Sequence, residues 1–369
     1  MDFNFYMPAR ILSGKGVILE NSPELKALGT RCLIVTGTRS AKKSGALDDA
    51  FAALEKEWIS YSVFDKIQAN PLAETCQEAG NQAREMEADF ILGIGGGSPL
   101  DSAKAAAIYA TNPGLTTEGM LQKKWKKTPL PLVLIGTTSG TGSEVSSTSV
   151  LTWEDGRKRA VTHPDLYADL VFADPQYTYS MNRELSITTA LDAFSHAAEG
   201  FLSPVCNDIA ALCAKKAMPT LWEGLKALEA GEALSSTQKD AMYYASLWAG
   251  LVLNATGTAF PHPFGYILTE DYNIPHGRAC ATFLPALVLC GMENSAERTA
   301  ALFDCLGCTF SELSDVLSRL SATAHIRMTA KQIETYSTRW EHLKNFKNVP
   351  GGFDATRGIA LFRGLFLDP

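Results

Sequence analysis

The sequence predicts an α/β domain with a parallel sheet over residues 1–180, followed by an all-helical domain over 181–369. Three observations carry that prediction. Short, almost wholly apolar runs alternate with helical sequence through the first half, as strands covered on both faces do. After Asp174-Pro175 the texture changes, and from about Glu184 onward nearly every segment is helix-like and rich in Ala. A length of 369 residues also exceeds what a single core usually serves.

The elements follow in order. Residues 1–20 alternate weakly and predict a β-hairpin, 4–7 and 10–13, around Pro8. Such a hairpin has two uses, adding strands across a homodimer interface or capping its own sheet. RCLIVT at 31–36 is a strand ending in GTRSAKKSG, with helical sequence at 46–56. A short strand at 61–64 leads to Asn70-Pro71, and helical sequence at 73–87 precedes the apolar strand DFILGI at 89–94. Then come GGGS at 95–98, a helix at 100–109 and a third apolar strand at 130–135. In the second half, ITTALDAFSHAAEGFLSP at 187–204 has no proline before Pro204 and predicts one helix, with others at 207–217, 238–253 and 296–306.

Composition narrows the function classes. Apolar residues at 46% and charged residues at 20% describe a soluble globular protein with ample core. A net charge of −7 argues against nucleic acid or an anionic membrane as partner, and no apolar run is long enough to span a bilayer. MDFNFYMPARILSGKG has an acid at position 2 and no basic segment before an apolar core, unlike a signal peptide. Eight cysteines without a framework spacing fit reduced thiols and a cytoplasmic location. The single CxxC, Cys305 and Cys308, lacks the second pair of a zinc ribbon and is read as packing.

Two loops and one set of side chains carry the chemistry. Gly93-Ile-Gly-Gly-Gly-Ser98 follows a buried strand and opens a helix, where bare backbone N–H groups accept a pyrophosphate. The spacing is not GxGxxG, and a tight turn competes with the phosphate reading. A second loop, running from Gly136 to Glu144 with hydroxyls and glycines together, also follows an apolar strand. Two such loops at the carboxyl ends of parallel strands point to a nucleotide site.

In the helical half, Asp192 and His196 stand one helical turn apart and project from one face. That pair alone is equally a metal grip or a buried packing pair. His262, in FPHPFGY, and His276, in NIPHG, extend it to one carboxylate and three imidazoles, a set suited to Fe²⁺ or Zn²⁺. For any one histidine a packed or capping role is the simpler reading; for the whole set it is not. His163, in THPD, reads as a turn cap, and His325 and His342 are given no function.

With GGGSPLD at 95–101, TTSGTGSEV at 137–145, ALDAFSHAAEG at 190–200 and two histidines over 262–277 ending in PHG, the chain resembles a known family. It is similar over essentially its whole length to the metal-dependent (iron-type, group III) alcohol dehydrogenases of the dehydroquinate synthase-like superfamily. The resemblance implies a dinucleotide-binding N-terminal domain, a helical metal-binding and substrate domain, and a metal in the cleft between them. Asp192, His196, His262 and His276 fall on the family's four ligand positions, through which catalysis would run. Gly97 and Ser98 fall on pyrophosphate contacts; Thr137, Thr138, Thr148 and Lys158 fall on other cofactor-lining positions. Asn70, Gly96, Asp101 and Ser143 complete the expected cofactor set.

Two departures from the family pattern matter. Where many NAD-using members carry an aspartate after the first strand, this chain has Gly37, followed by Thr38-Arg39-Ser40-Ala-Lys-Lys43. An acid would repel a 2′-phosphate and this loop would attract one, so NADP is favoured over NAD, against the plainer reading of a solvated basic loop. Four residues after the third ligand position the family has another histidine; here Tyr266 offers only a neutral phenol, which puts an imidazole proton relay in doubt.

The implied activity is NAD(P)H-linked reduction of a small aldehyde, or oxidation of a primary alcohol, with Fe²⁺ as the metal and Zn²⁺ as the alternative. Arg278, directly after PHG, is either a clamp for an anionic substrate such as phosphonoacetaldehyde or sulfoacetaldehyde, or an outward arginine paired with a surface acid. The competing functions are a dehydroquinate synthase-like lyase using NAD catalytically and a non-catalytic metal-binding protein.

Overall fold

The structure, a computed structural model, describes residues 3–341 and 343–368; His342 lies outside the described residues. The chain divides into two compact units, Tyr6–Met181 and the remainder from Asn182 onward together with the N-terminal residues before Tyr6.

The first unit runs β1 (Arg10–Ser13), α1 (Val17–Glu20), α2 (Pro23–Lys26), β2 (Arg31–Gly37), α3 (Ser40–Ser44), α4 (Ala46–Lys56), β3 (Ser60–Ile67), α5 (Ala73–Glu85), β4 (Phe90–Gly95), α6 (Gly97–Thr111), α7 (Thr117–Leu121) and β5 (Leu132–Gly136). It continues through β6 (Thr148–Thr152), β7 (Lys158–Thr162) and β8 (Leu170–Ala173). Six strands form one parallel sheet in the order β1-β8-β5-β4-β2-β3. The apolar runs fill its centre: Cys32, Leu33, Ile34 and Val35 on β2 and Phe90, Ile91 and Leu92 on β4 are fully buried. Their lack of alternation follows from being covered on both faces.

The chain leaves β2 for β3 on one side and returns to β4 on the other. Strand order therefore reverses between β2 and β4, and open α/β sheets bind ligands beyond the carboxyl ends of strands at such a point. The glycine loop at 95–97 and the basic stretch at 37–43, which runs into α3, both start there.

The expected N-terminal hairpin does not form. Residues 10–13 pair in parallel with β8, and 4–7 make no strand. The parallel ladder to β8 makes β1 an edge strand of the sheet of its own unit. The antiparallel pair β6–β7 and the four-residue β8 were not anticipated.

The second unit is helical: α8 (Arg183–Leu202), α9 (Asp208–Glu229), α10 (Ser236–Thr256), α11 (Pro261–Tyr272), α12 (His276–Ala281), α13 (Leu284–Asn294), α14 (Ala296–Leu306), α15 (Phe310–Ser321), α16 (Ala330–Ser337) and α17 (Ala355–Phe366). Asn182 caps α8, its side chain accepting from Leu185 N. From Ile187 to Leu202 every residue of this helix except Thr188 is buried, which makes it the central helix of the unit. Its small residues allow that: α10 lies so close at Gly200 that any Cβ would strike Val252 and Thr256.

Candidate metal centre and nucleotide loops

Three acidic or imidazole side chains line one face of α8, Asp192, His196 and Glu199, at spacings of i, i+4 and i+7. Two other helix starts meet that face. α11 opens with Pro261 at its first turn, where the missing N–H costs nothing, and carries His262 directly after it. α12 opens on His276 itself, and Gly277 lies against α8 so tightly that a Cβ there would collide with the Thr188 carbonyl and the Asp192 backbone. Glycine at 277 is thus what seats His276 beside Asp192.

The result is a convergence on one oxygen. Asp192 Oδ1 lies 3.7 Å from His196 Nε2, 3.7 Å from His262 Nε2 and 3.8 Å from His276 Nε2. None of these is a hydrogen bond. Asp192 Oδ1 and His262 Nε2 are buried and have no hydrogen-bond partner. Buried polar atoms are almost always paired, so this pair calls for a missing group. Donors of one ion with bonds near 2.1 Å stand roughly 3.4–3.6 Å apart, close to the spacing seen. Residues and orphaned atoms together fit a divalent cation.

The rings are held as well as placed. His262 Nδ1 is 2.7 Å from Glu199 Oε1, while Glu199 Oε2 accepts from Ala259 N at 2.8 Å. His196 stacks on His262 with centroids 4.7 Å apart, and Tyr266 stacks on His276 at 5.4 Å. Cys280, one turn after His276, joins Asp192, His262 and His276 within 4.8 Å of one another. Its sulfur is 3.6 Å from both His276 nitrogens, so it lies over the ring rather than along one lone pair. Electrostatically, burial brings His196 down to about 4. Burial works to raise Asp192, and the three imidazoles outweigh it and hold the carboxyl well below the usual range.

Arg278 sits apart from this cluster in its bonding. Its guanidinium pairs with Glu184 Oε2 at 2.7 Å and donates to the Leu320 carbonyl. A clamp on an anionic substrate would have to take it from both partners.

In the other unit the two glycine-rich loops touch. Thr137 N donates to Gly95 O at 2.9 Å, a Cβ on Gly96 would press on Thr138, and one on Gly97 would strike Thr141. Gly95 has φ +152° with the Pro99 ring packed against it, a conformation and a contact that a side chain would spoil. Ser98 stands in the first turn of α6. Arg39 and Ser40 are exposed beyond β2, and Gly37 faces Ile67 O so closely that a Cβ would lie 3.1 Å from it. Asn70 takes a left-handed φ of 57°, its carbonyl accepting from Thr152. Thr148 shares a hydroxyl bond with Thr162, and Lys158 opens β7.

Behind the loops lies a buried charged cluster. Lys104 Nζ donates to Ser143 Oγ at 2.8 Å, Ser146 O at 3.0 Å and Thr148 O at 2.8 Å, and stands 3.8 Å from Asp101 Oδ1. Asp101 in turn accepts from Ser143 Oγ at 2.6 Å and Val150 N at 2.9 Å. The side chains of Asp101 and Ser143 are therefore spent on each other and on Lys104, bracing the loop rather than presenting free groups. Burial lowers Lys104 to about 8 and raises Glu144, packed under Gly136, to about 7.

Lys104, Glu144, Glu199 and Cys280 were not singled out from sequence. Signals for three of them were present: a lysine amid the alanines of the helix expected at 100–109, a glutamate on the same α8 face as Asp192, and a cysteine one turn past His276. His163 does cap its turn, Nδ1 accepting from Asp165 N at 3.2 Å.

Comparisons with known proteins agree across the chain. Residues 8–175 match the family described as iron-containing alcohol dehydrogenase, and residues 186–347 match the C-terminal part of the Fe-containing alcohol dehydrogenase family. Long-chain-alcohol dehydrogenase 1 of Geobacillus thermodenitrificans is 34% identical over 310 residues, covering 82% of this chain and 77% of the relative. Sulfoacetaldehyde reductase of Bilophila wadsworthia is 33% identical, covering 83% and 79%. The crystal structure of an iron-containing alcohol dehydrogenase from Thermotoga maritima, 33% identical, superimposes with a TM-score of 0.90 over 99% of each chain.

Proposed function

This chain belongs to the iron-containing alcohol dehydrogenase family, and from that premise we propose that it is a metal-dependent, NAD(P)H-linked enzyme moving a hydride between nicotinamide and a small aldehyde or primary alcohol. The observation that carries the proposal is the pair of buried, partnerless donor atoms, Asp192 Oδ1 and His262 Nε2, with His196 and His276 around them. Asp192, His196, His262 and His276 would hold Fe²⁺, or Zn²⁺ as the alternative for the same donors. When bound, the ion supplies Lewis acidity to the carbonyl oxygen and the nicotinamide supplies or accepts the hydride.

The chain's own residues do the rest. Asp192 sets a fixed negative charge among three imidazoles, buried enough to keep bulk water from competing. Tyr266, stacked on His276, offers a phenol to a substrate hydroxyl or carbonyl. In the unit of Tyr6–Met181, read as the nucleotide domain, the amides at Gly96, Gly97 and Ser98 would receive the pyrophosphate, with Thr137 and Thr138 alongside. Arg39, Lys42 and Lys43 are exposed beside the end of β2 and have no ion-pair partner among the described residues, which supports NADP over NAD.

A second reading, an anionic aldehyde as substrate, is favoured by the relative that is a sulfoacetaldehyde reductase. The bonds of Arg278 to Glu184 and Leu320 weigh against its most obvious clamp. One spectrophotometric panel tests both readings: propanal, sulfoacetaldehyde and phosphonoacetaldehyde, each with NADPH or NADH and with Fe²⁺ or Zn²⁺. Net oxidation of NADPH by propanal is the expected result. No net oxidation under any condition would point instead to a lyase that recycles its cofactor or to a non-catalytic protein.

A further inference from the structure

Glu199 has no place in the roles above, yet it is among the most completely enclosed carboxylates of the helical unit, its side chain 0% exposed. Both of its oxygens are used. Oε1 takes His262 Nδ1 at 2.7 Å and Oε2 takes the amide of Ala259 at 2.8 Å. Ala259 lies just before α11, which starts at Pro261, so one carboxylate of α8 grips both the entry to α11 and the first-turn histidine that α11 carries.

An ionised carboxylate only accepts, so Nδ1 of His262 must be the protonated nitrogen. The lone pair is then left on Nε2, the atom that faces Asp192 Oδ1 without a partner. An imidazole held by an outer carboxylate is a stronger donor and does not turn its ring. We propose that Glu199 is a positioning residue for the metal site: it fixes the tautomer and orientation of His262, and thereby the affinity for the ion. This rests on the reading of Asp192, His196, His262 and His276 as ligands.

Glu199→Gln is the informative substitution because it keeps the size and breaks the pattern. The glutamine oxygen can accept from Ala259 N, but its amide then donates to Nδ1 and forces the proton onto Nε2, where it blocks the ion. Turned the other way, the amide meets the Ala259 N–H donor to donor.

Zn²⁺ affinity by chelator competition reads the effect without any turnover assay. Glu199→Gln is expected to weaken binding about 10–100-fold; unchanged affinity would overturn the proposal. Wild-type protein supplies a measurement that needs no variant to fold. With Zn²⁺ bound and histidine nitrogen-15 labelled, His262 should give a strongly deshielded, slowly exchanging Nδ1–H, identified by its loss in His262→Ala. Its absence would overturn the proposal as well. If His262→Ala bound Zn²⁺ as tightly as wild type, the ligand assignment itself would fall. If that variant lost the ion while Glu199→Gln kept it, only the role of Glu199 would.

Discussion

Each unit of this protein buries a cluster of charged side chains, and the two clusters are finished differently. Around Lys104 the protein supplies every partner: Asp101, Ser143, Ser146 and Thr148 take up the ammonium, and Ser143 and Val150 take up the carboxylate. Around Asp192 it stops short, leaving Oδ1 and His262 Nε2 buried and bare. Burial alone therefore does not mark a functional residue. Around Lys104 the completed set of partners makes a brace, whereas two bare donor atoms facing each other at 3.7 Å leave a place for something else.

That contrast can be broken by substitution, the largest effect first. His262→Ala should remove the stoichiometric ion, checked by elemental analysis, and cut turnover about a thousandfold or more, since a Lewis acid lowers the barrier by roughly several kcal/mol. Lys104→Met should instead cost stability, about 3–5 kcal/mol, because Asp101 is left as a buried unpaired charge. Urea unfolding measures it, and a cost under about 1 kcal/mol would mean the cluster is not acting as one brace.

Glu144 sharpens the comparison through pH. Its carboxyl, raised by burial to about 7, binds its proton more tightly in the folded chain than in the unfolded one. Its stabilising contribution is complete below the unfolded value and is lost as pH rises through about 7. Glu144→Gln should then melt a few degrees above wild type at about pH 8 and together with it at about pH 4, as thermal scans would show. The smallest effect belongs to Arg278→Ala. Glu184 is 67% exposed, so the lost ion pair is worth at most about 1 kcal/mol, and propanal turnover should stay within about twofold. Loss of sulfoacetaldehyde turnover alone would show that Arg278 leaves Glu184 to hold an anion.

Much of this was legible beforehand, for physical reasons that can be named. β2, β4 and β5 are short, mostly apolar runs that end in glycine, and such runs suit strands covered on both faces. The helix bearing Asp192 and His196 was readable from its alanines, and its partners His262 and His276 from the proline and glycine beside them. What stayed hidden depended on contacts distant in sequence. β1 looked like half of a hairpin because local alternation cannot show that its partner is β8, about 160 residues away. Arg278 stood next to a proposed ligand, but only the fold shows that Glu184 and Leu320 take its guanidinium. Glu199 lay in plain view on the right face of α8, and its importance depends on where Ala259 and His262 arrive.

The pairing of β1 with β8 also sets an order of events. On the ribosome, Arg10–Ser13 emerges early but has no ladder to join until Leu170–Ala173 has been made. The bond from Gly16 N to Asp174 Oδ2, at 2.7 Å, waits for the same residues. A loop of that length is slow to close and leaves an open strand edge in the meantime. The segment translated first in this unit thus completes its ladder only once nearly all of the unit has been made, and a nascent chain stalled before β8 would lack that ladder.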